Sequence, residues 1–135
     1  MPRQYRLRKI VAPPRFSGYK PYGCIQHDES PVELLYEEYE ALKLADYKFM
    51  NHQEAALLMG ISRPTFARIY ENARRKIALA LVETREIITA SGNSYSEKKW
   101  FNCCSCLARF TIPISASRNE CPICKSVSIE TLINQ

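Results

Sequence analysis

The sequence predicts a mainly α-helical fold, a helix-turn-helix domain of three helices, followed by a small β-structured zinc ribbon. Apolar residues recur at helical spacing between residues 32 and 81, Gly60 separates two capped helical segments, and two Cys-x2-Cys pairs follow. The predicted organisation has four parts: a basic, proline-rich N-terminal arm (1–29), the helix-turn-helix domain (30–90), a linker (91–97) and the zinc ribbon (98–135).

The composition is that of a globular protein, because 46% of the 135 residues are hydrophobic and 24% are charged. No apolar run in the sequence approaches the ~20 residues that span a bilayer. A secretory signal has an apolar segment after its basic N-terminus, and this sequence has none there. We therefore expect a cytoplasmic protein without a membrane partner. In that compartment the six cysteines indicate metal or redox chemistry before disulfides.

The net charge of +5 is distributed unevenly along the chain. Six basic residues and no acid lie within residues 1–23, and six basic residues against two acids lie within residues 62–85. Seven acids against two lysines lie within residues 24–50. The two basic segments are compatible with a polyanionic partner, although charge by itself is more typical of a solvated surface.

The N-terminal arm is predicted to be extended, since its prolines disfavour a helix. Two roles stay open for it. Arg3 and Arg6 could enter a DNA minor groove, as the basic arms of some DNA-binding proteins do. Alternatively, Phe16 and Tyr22 could hold the arm against the helices.

The first helix is predicted to begin at Ser30-Pro31-Val32-Glu33 and to run to about Ala45. Ser30 and Glu33 have the spacing of a reciprocal cap, and Pro31 suits the first helical position. Apolar residues then recur at helical spacing, at Val32, Leu35, Tyr39 and Leu42.

The second and third helices are predicted on either side of a tight turn. Asn51 caps the second helix and Gly60 ends it in a left-handed conformation. Ser62 caps a third helix that runs to about Thr84. One apolar stripe follows the third helix, formed by Phe66, Ile69, Tyr70, Ala73, Ile77 and Leu81.

These two helices have the features of a helix-turn-helix unit. Ala55 and Ala56 are small enough for the helices to touch there, and Gly60 suits the turn. The apolar residues expected to hold the unit together are Leu57, Met59, Ile61, Phe66 and Ile69. The second helix of such a unit enters the DNA major groove by its N-terminal residues. A plain three-helix bundle, or a helix-turn-helix unit that contacts proteins, are the alternatives.

The apolar stripe leaves the opposite face of the third helix for a partner. We expect Arg63, Thr65 and Arg68 to read DNA, and Ser62 at the helix N-terminus to contact phosphates or bases. Double-stranded DNA is thus the expected partner. A homodimer is expected as well, because specific sites usually consist of two half-sites.

Three segments of the helical region resemble a known family. They are residues 37–46 (EEYEALKLAD), 53–69 (QEAALLMGISRPTFARI) and 73–82 (ARRKIALALV). Over roughly residues 1–92 the chain resembles uncharacterised protein family 0251, also called domain of unknown function 134. The resemblance implies a small prokaryotic DNA-binding protein with a helix-turn-helix like that of sigma factor region four.

The C-terminal region carries the strongest local motif. Cys103-x2-Cys106 and Cys121-x2-Cys124 are separated by 14 residues, and two such knuckles direct four thiolates to one tetrahedral metal. We expect a structural zinc ion on Cys103, Cys106, Cys121 and Cys124, with iron as the alternative metal. A metal would supply folding free energy to so short a segment.

Two further cysteines and the aromatic residues complete the predicted ribbon. Cys104 is the alternative ligand to Cys103, whereas Cys24 is expected to be a small buried apolar residue. Short β-like runs occupy residues 98–101, 107–112 and 127–132, and Trp100, Phe110 and Ile112 are expected to pack beside the metal.

The leading hypothesis is a sequence-specific DNA-binding protein that regulates transcription. An enzyme is not expected, because the sequence offers no nucleophile–base pair and no phosphate-binding glycine loop. Two alternatives stay open. One is an interaction adaptor built on the same helices and ribbon, for example with RNA polymerase. The other is a regulator whose helices respond to the metal or redox state of the ribbon.

Overall fold

The computed structural model describes residues 7–23, 30–113, 115–116 and 118–133. These described residues form three α-helices, one π-helical turn and eight short strands. The helical elements are α1 (Tyr36–Leu42), the π-helical turn (Lys43–Tyr47), α2 (His52–Met59) and α3 (Arg63–Val82). The strands are β1 (Arg8–Lys9), β2 (Gly18–Tyr19), β3 (Val32–Leu35), β4 (Ile87–Ala90), β5 (Ser94–Tyr95), β6 (Trp100–Cys103), β7 (Arg109–Thr111) and β8 (Ile129–Ile133).

The strands form three small sheets. In the first, β4 lies between β2, to which it is antiparallel, and β3, to which it is parallel. In the second, β1 pairs with β5 in parallel. In the third, β6 lies between β7 and β8 and is antiparallel to both. The described helices include none that combines the length and the apolar character of a membrane span.

The predicted start of the first helix is wrong. Residues 32–35 form strand β3, in which Val32 and Leu34 are buried while Glu33 is exposed. This alternation has the period of a strand, and β3 pairs with β4 instead of continuing a helix. Helix α1 begins only at Tyr36, where the carboxylate of Glu38 accepts from the amide of Leu35 at 2.9 Å.

The turn between α2 and α3 has the predicted residues in the predicted roles. The side chain of Asn51 accepts from the amide of Glu54 at 2.8 Å and so caps α2. Gly60 ends that helix with a φ of 67°. The hydroxyl of Ser62 accepts from the amide of Thr65 at 3.3 Å and caps α3.

The core between these helices also follows the predicted pattern, with two exceptions. Its buried members are Ala41, Leu44, Ala55, Ala56, Met59, Phe66 and Ile69. Leu57, however, is 73% exposed, because it lies on the side of α2 opposite Ala55 and Met59. Leu81 is also 73% exposed, because its neighbour Ala80 is the residue that packs against Val32 and Ile87 at this end of α3.

The acidic residues of α1 are buried and cross-link separate parts of the chain. Glu37 is 3% exposed, accepts from the amide of Asn93 at 2.9 Å, and lies 3.6 Å from the guanidinium of Arg8. Glu38 accepts from the ammonium of Lys76 on α3 at 2.7 Å. Glu37 and Glu38 are therefore part of the interior, although acidic residues are usually exposed.

The N-terminal arm joins the helices to the C-terminal sheet. The amide of Val11 lies close enough to the buried Glu40 to lower its pKa, and Phe16 packs edge-on against Tyr39 with ring centroids 6.0 Å apart. The guanidinium of Arg109 on β7 donates to the carbonyl of Pro14 at 2.6 Å. Tyr22, in contrast, is 98% exposed. Of the two aromatic residues that could hold the arm against the helices, Phe16 does so and Tyr22 does not.

Gly92 and Gly60 provide a matched pair of substitutions. Both have positive φ, 53° and 67°, so alanine at either costs about 1–2 kcal/mol of backbone strain. A Cβ on Gly60 would meet nothing within 4 Å, whereas one on Gly92 would overlap the carboxylate of Glu37. We expect Gly92→Ala to lower the free energy of unfolding by about 1–3 kcal/mol more than Gly60→Ala, because it displaces a buried hydrogen bond. Urea unfolding measures the free energy of unfolding of both variants, and equal losses of that free energy would contradict this explanation.

Glu40 is expected to make stability depend on pH. Burial raises the pKa of Glu40 above its ordinary value of 4.5, although Lys43 opposes this shift. The folded state therefore holds the proton more tightly, and stability from this group is lost as pH rises through the folded pKa. Relative to wild type, Glu40→Gln should gain stability as pH rises above 4.5, by at most about 1.4 kcal/mol per pH unit.

The control for Glu40→Gln is Glu33→Gln, on the exposed side of β3. Urea unfolding between pH 4.5 and 7 should give a nearly constant difference from wild type for this control. Parallel behaviour of the two variants would show that burial of Glu40 does not set the pH dependence.

Candidate metal centre and nucleic-acid surface

The two Cys-x2-Cys segments form turns of the same design. In the first, the amide of Leu107 donates to the carbonyl of Cys103 at 2.9 Å, and in the second the amide of Lys125 donates to the carbonyl of Cys121 at 2.9 Å. Leu107 and Lys125 have φ values of 65° and 63°. The chain thus reverses in the same way four residues after the first cysteine of each pair.

These turns bring together the four cysteines that the sequence spacing selects. Their sulfur atoms all lie within 4.8 Å of one another. The Sγ atoms of Cys103 and Cys124 are 3.5 Å apart, as are those of Cys106 and Cys121. A tetrahedral site with metal–sulfur bonds of about 2.3 Å has sulfur–sulfur edges of about 3.8 Å. The cluster could therefore hold one metal ion.

Backbone amides favour the thiolate form of two of these cysteines. The amide of Cys106 donates to the sulfur of Cys103 at 3.4 Å, and such bonds lower the pKa of Cys103 to about 6. A hydrogen bond from the amide of Cys124 likewise lowers the pKa of Cys121. Since metals bind the thiolate, the backbone prepares the buried half of the cluster for a cation.

Cys104 lies outside the cluster. Its side chain is exposed, and its amide donates to the carbonyl of Ser128 at 2.9 Å, which ties the two turns together. Cys103, at the end of β6, takes the inward position instead. Cys24 lies outside the described residues.

The apolar residues beside the cluster differ in one respect from the prediction. Phe110 and Ile112 pack there, together with Phe101, whose ring stacks on Phe110 at 5.9 Å between centroids. Trp100 does not belong to this group. Successive residues of a strand face opposite sides, so the alternation along β6 places Phe101, not Trp100, on the side of Cys103.

The N-terminal turns of α3 carry the residues that are predicted from the sequence to contact DNA. Ser62, Arg63 and Arg68 are exposed, and Thr65 is half-buried. The hydroxyl of Ser62 donates to that of Thr65 at 2.8 Å, and the guanidinium of Arg68 donates to the same oxygen at 3.3 Å. These contacts gather Ser62, Thr65 and Arg68 on one surface, and Arg63 is exposed in the first turn of the same helix. Arg3 and Arg6 lie outside the described residues.

The other basic residues of α3 are engaged with neighbours in this chain. Arg74 lies over the ring of Tyr70, 5.3 Å from its centroid. Arg75 donates to the carboxylate of Glu71 at 2.9 Å, and Lys76 binds Glu38. The exposed positive charge at the N-terminal end of α3 therefore comes from Arg63 and Arg68.

Comparison with known proteins identifies the family. A family model described as "Protein of unknown function DUF134" matches residues 1–98. The chain belongs to this family. The match includes the arm, all three helices and β5, so its members share the region in which α1 is cross-linked to the arm and to α3.

Relatives extend the similarity into the cysteine-bearing region. The chain is 37% identical to a "UPF0251 protein" of Chloroherpeton thalassium, over 98% of this chain and 87% of the relative. It is 37% identical to a UPF0251 protein of Methanothermobacter thermautotrophicus, over 98% and 68% of the two chains. A UPF0251 protein of Clostridium acetobutylicum is 35% identical over 96% and 90%. No solved structure matches.

Cysteine variants should separate the cluster from Cys104. Elemental analysis is expected to give about one metal ion per chain for purified wild-type protein and for Cys104→Ser, because both retain the four thiolates that the site needs. Cys103→Ser should lose most of the metal, because its sulfur lies among the other three. Full retention by Cys103→Ser together with loss by Cys104→Ser would assign the ligand to Cys104.

Proposed function

We propose that this protein is a sequence-specific DNA-binding protein that regulates transcription and reads the major groove with α3 from Ser62 onward. The observation that carries the proposal is the exposed polar surface of Ser62, Arg63, Thr65 and Arg68 on a helix that is fixed from behind. Phe66 is fully buried and Ile69 is 8% exposed in the core with α2.

The chemistry of this surface suits double-stranded DNA. Arginine guanidinium groups donate two parallel hydrogen bonds to guanine edges or to phosphates. The amides at a helix N-terminus attract a phosphate. A helix-turn-helix unit formed by α2, Gly60 and α3 would bring these groups into the groove by the N-terminal end of α3.

We propose a structural zinc ion for the cysteine cluster. Four thiolates complete a tetrahedral shell and leave no position for a substrate, which is the pattern of a structural site. Iron is the alternative with the same ligands, and elemental analysis distinguishes the two metals. The zinc would stabilise the sheet of β6, β7 and β8, which the arm joins to the helices.

We propose that the active form of the protein is a homodimer in the cytoplasm, because a DNA site with two-fold symmetry presents two half-sites. The exposed Leu81 and Val82 at the C-terminal end of α3, 73% and 83% exposed, are apolar positions that a second copy could cover.

A protein-interaction adaptor is the second candidate, and one observation favours it. Leu57 and Leu58 on α2 are 73% and 50% exposed, side by side. Exposed leucines on a helix are the kind of contact that a protein partner such as RNA polymerase would use. In that case the basic end of α3 would bind DNA weakly and without sequence preference.

The test is selection of bound fragments from genomic DNA by metal-loaded protein, followed by sequencing. We expect one motif with two-fold symmetry. The variant Arg63→Ala/Thr65→Ala/Arg68→Ala should weaken binding to that motif by about 2 kcal/mol or more and abolish the preference, since each good base contact contributes about 1–3 kcal/mol.

The matched control is Arg74→Ala/Arg75→Ala, which removes two charges from the same helix. It should reduce affinity for all sequences alike and keep the motif, because contacts to phosphates carry no sequence information. Binding without a motif, or equal loss of preference in both variants, would contradict sequence reading by α3. Either result would favour the protein-interaction adaptor, with Leu57 and Leu58 as its candidate contact residues.

A further inference from the structure

A cavity of about 1390 Å³ lies where the arm, α1, α3 and the C-terminal sheet meet. Pockets for small molecules are about 300–1,000 Å³, so this one can contain a ligand of that size and water. Its wall comes from segments far apart in the sequence, from Val11 to Ile123. The wall reaches the second cysteine turn through Ile123, but its described lining residues include none of the four cysteines and none of Ser62, Arg63, Thr65 and Arg68.

Much of the wall is apolar and aromatic. Phe16 from the arm, Leu42 from α1, Ile77 from α3 and Trp100 from β6 all line it. Phe16 is held in place by its edge-on contacts with Tyr19 and Tyr39, at 4.6 and 6.0 Å between ring centroids. Such a wall would bind the apolar body of a ligand by removing it from water.

The charged groups of the wall are mostly positive. The cations are Arg15, Lys43 and Arg109, against the acid Asp46 among the described lining residues. Asp46 accepts a hydrogen bond from the hydroxyl of Tyr70, so that its charge is already engaged on the helix side. The wall therefore favours an anion over a cation.

The three cations differ in how they are used. Lys43 lies 3.4 Å from the buried carboxylate of Glu40, and Arg109 donates to the carbonyl of Pro14. Arg15 is exposed on the arm beside Phe16 and at the mouth of the cavity. Its guanidinium is the group best placed to receive the charged end of a ligand while the apolar end enters.

We propose that this cavity binds a small amphipathic anion, with an aromatic or aliphatic body and one carboxylate or sulfonate group that Arg15 holds. The body lies between Phe16, Ile77 and Trp100. Such a ligand would contact the arm, the helices and the C-terminal sheet at once. Binding would therefore stabilise their junction. This inference does not depend on DNA binding.

The test uses 8-anilinonaphthalene-1-sulfonate as the probe and the metal-loaded protein. Trp100 is the single tryptophan of the chain, so its fluorescence reports on a cavity it lines. We expect saturable binding of one probe with quenching of Trp100. N-phenyl-1-naphthylamine, which has the same rings without the sulfonate, should bind about tenfold more weakly, since an ionic hydrogen bond is lost.

Arg15→Gln and Lys20→Gln form the matched pair of variants. Both residues are exposed on the arm, but Lys20 does not line the cavity. We expect Arg15→Gln to weaken binding of the sulfonate about fivefold and Lys20→Gln to leave it within about twofold. Near-ultraviolet circular dichroism must be unchanged, which excludes binding to a loosened core. No saturable binding, or equal affinity of both probes with no effect of Arg15→Gln, would overturn the proposal.

Discussion

Burial of the carboxylates of α1 is the constraint on which the rest of the structure depends. A carboxylate in a protein interior is unfavourable unless hydrogen bonds and opposite charge compensate for the lost water. Glu37 finds its partners in Arg8 and Asn93, and Glu38 finds Lys76 on α3. Each partner comes from a different part of the sequence. The arm, α3 and the turn before β5 must therefore be in place together, because the absence of any one leaves a buried charge uncompensated.

The same constraint explains why the arm and the predicted linker pack as parts of the fold. Strand β1 lies beside β5, and the amide of Arg8 donates to the carbonyl of Asn93, so both residues reach the carboxylate of Glu37. From there the chain continues into the C-terminal sheet, where Ile133 packs with Ile10 and Tyr36. A metal ion held by the cysteines at the far end of that sheet would thus be linked to the helices through a short series of contacts.

Features set by a few neighbouring residues could be predicted from the sequence, and features set by distant pairing could not. The caps at Asn51 and Ser62, the turn at Gly60 and the turn within each Cys-x2-Cys pair follow from local spacing. Strand β3 pairs with β4 from more than fifty residues away, so a local capping pattern at Ser30 gave the wrong element. Charge counts likewise say nothing of burial, so the acidic composition of residues 24–50 could not predict that Glu37, Glu38 and Glu40 are buried. The cavity has no local signal at all, since its wall forms only when four separate segments meet.

The fold also changes what the basic residues of the third helix signify. The sequence places six basic residues between positions 62 and 85, which suggests a long positive face. Four of them contact groups of this chain away from the N-terminal end: Arg74 with Tyr70, Arg75 with Glu71, Lys76 with Glu38 and Arg85 with the carbonyl of Ser30. Arg63 and Arg68 stay at the exposed end, beside Ser62 and Thr65. The DNA-binding function proposed above therefore rests on this end of α3 and not on the net charge of the chain.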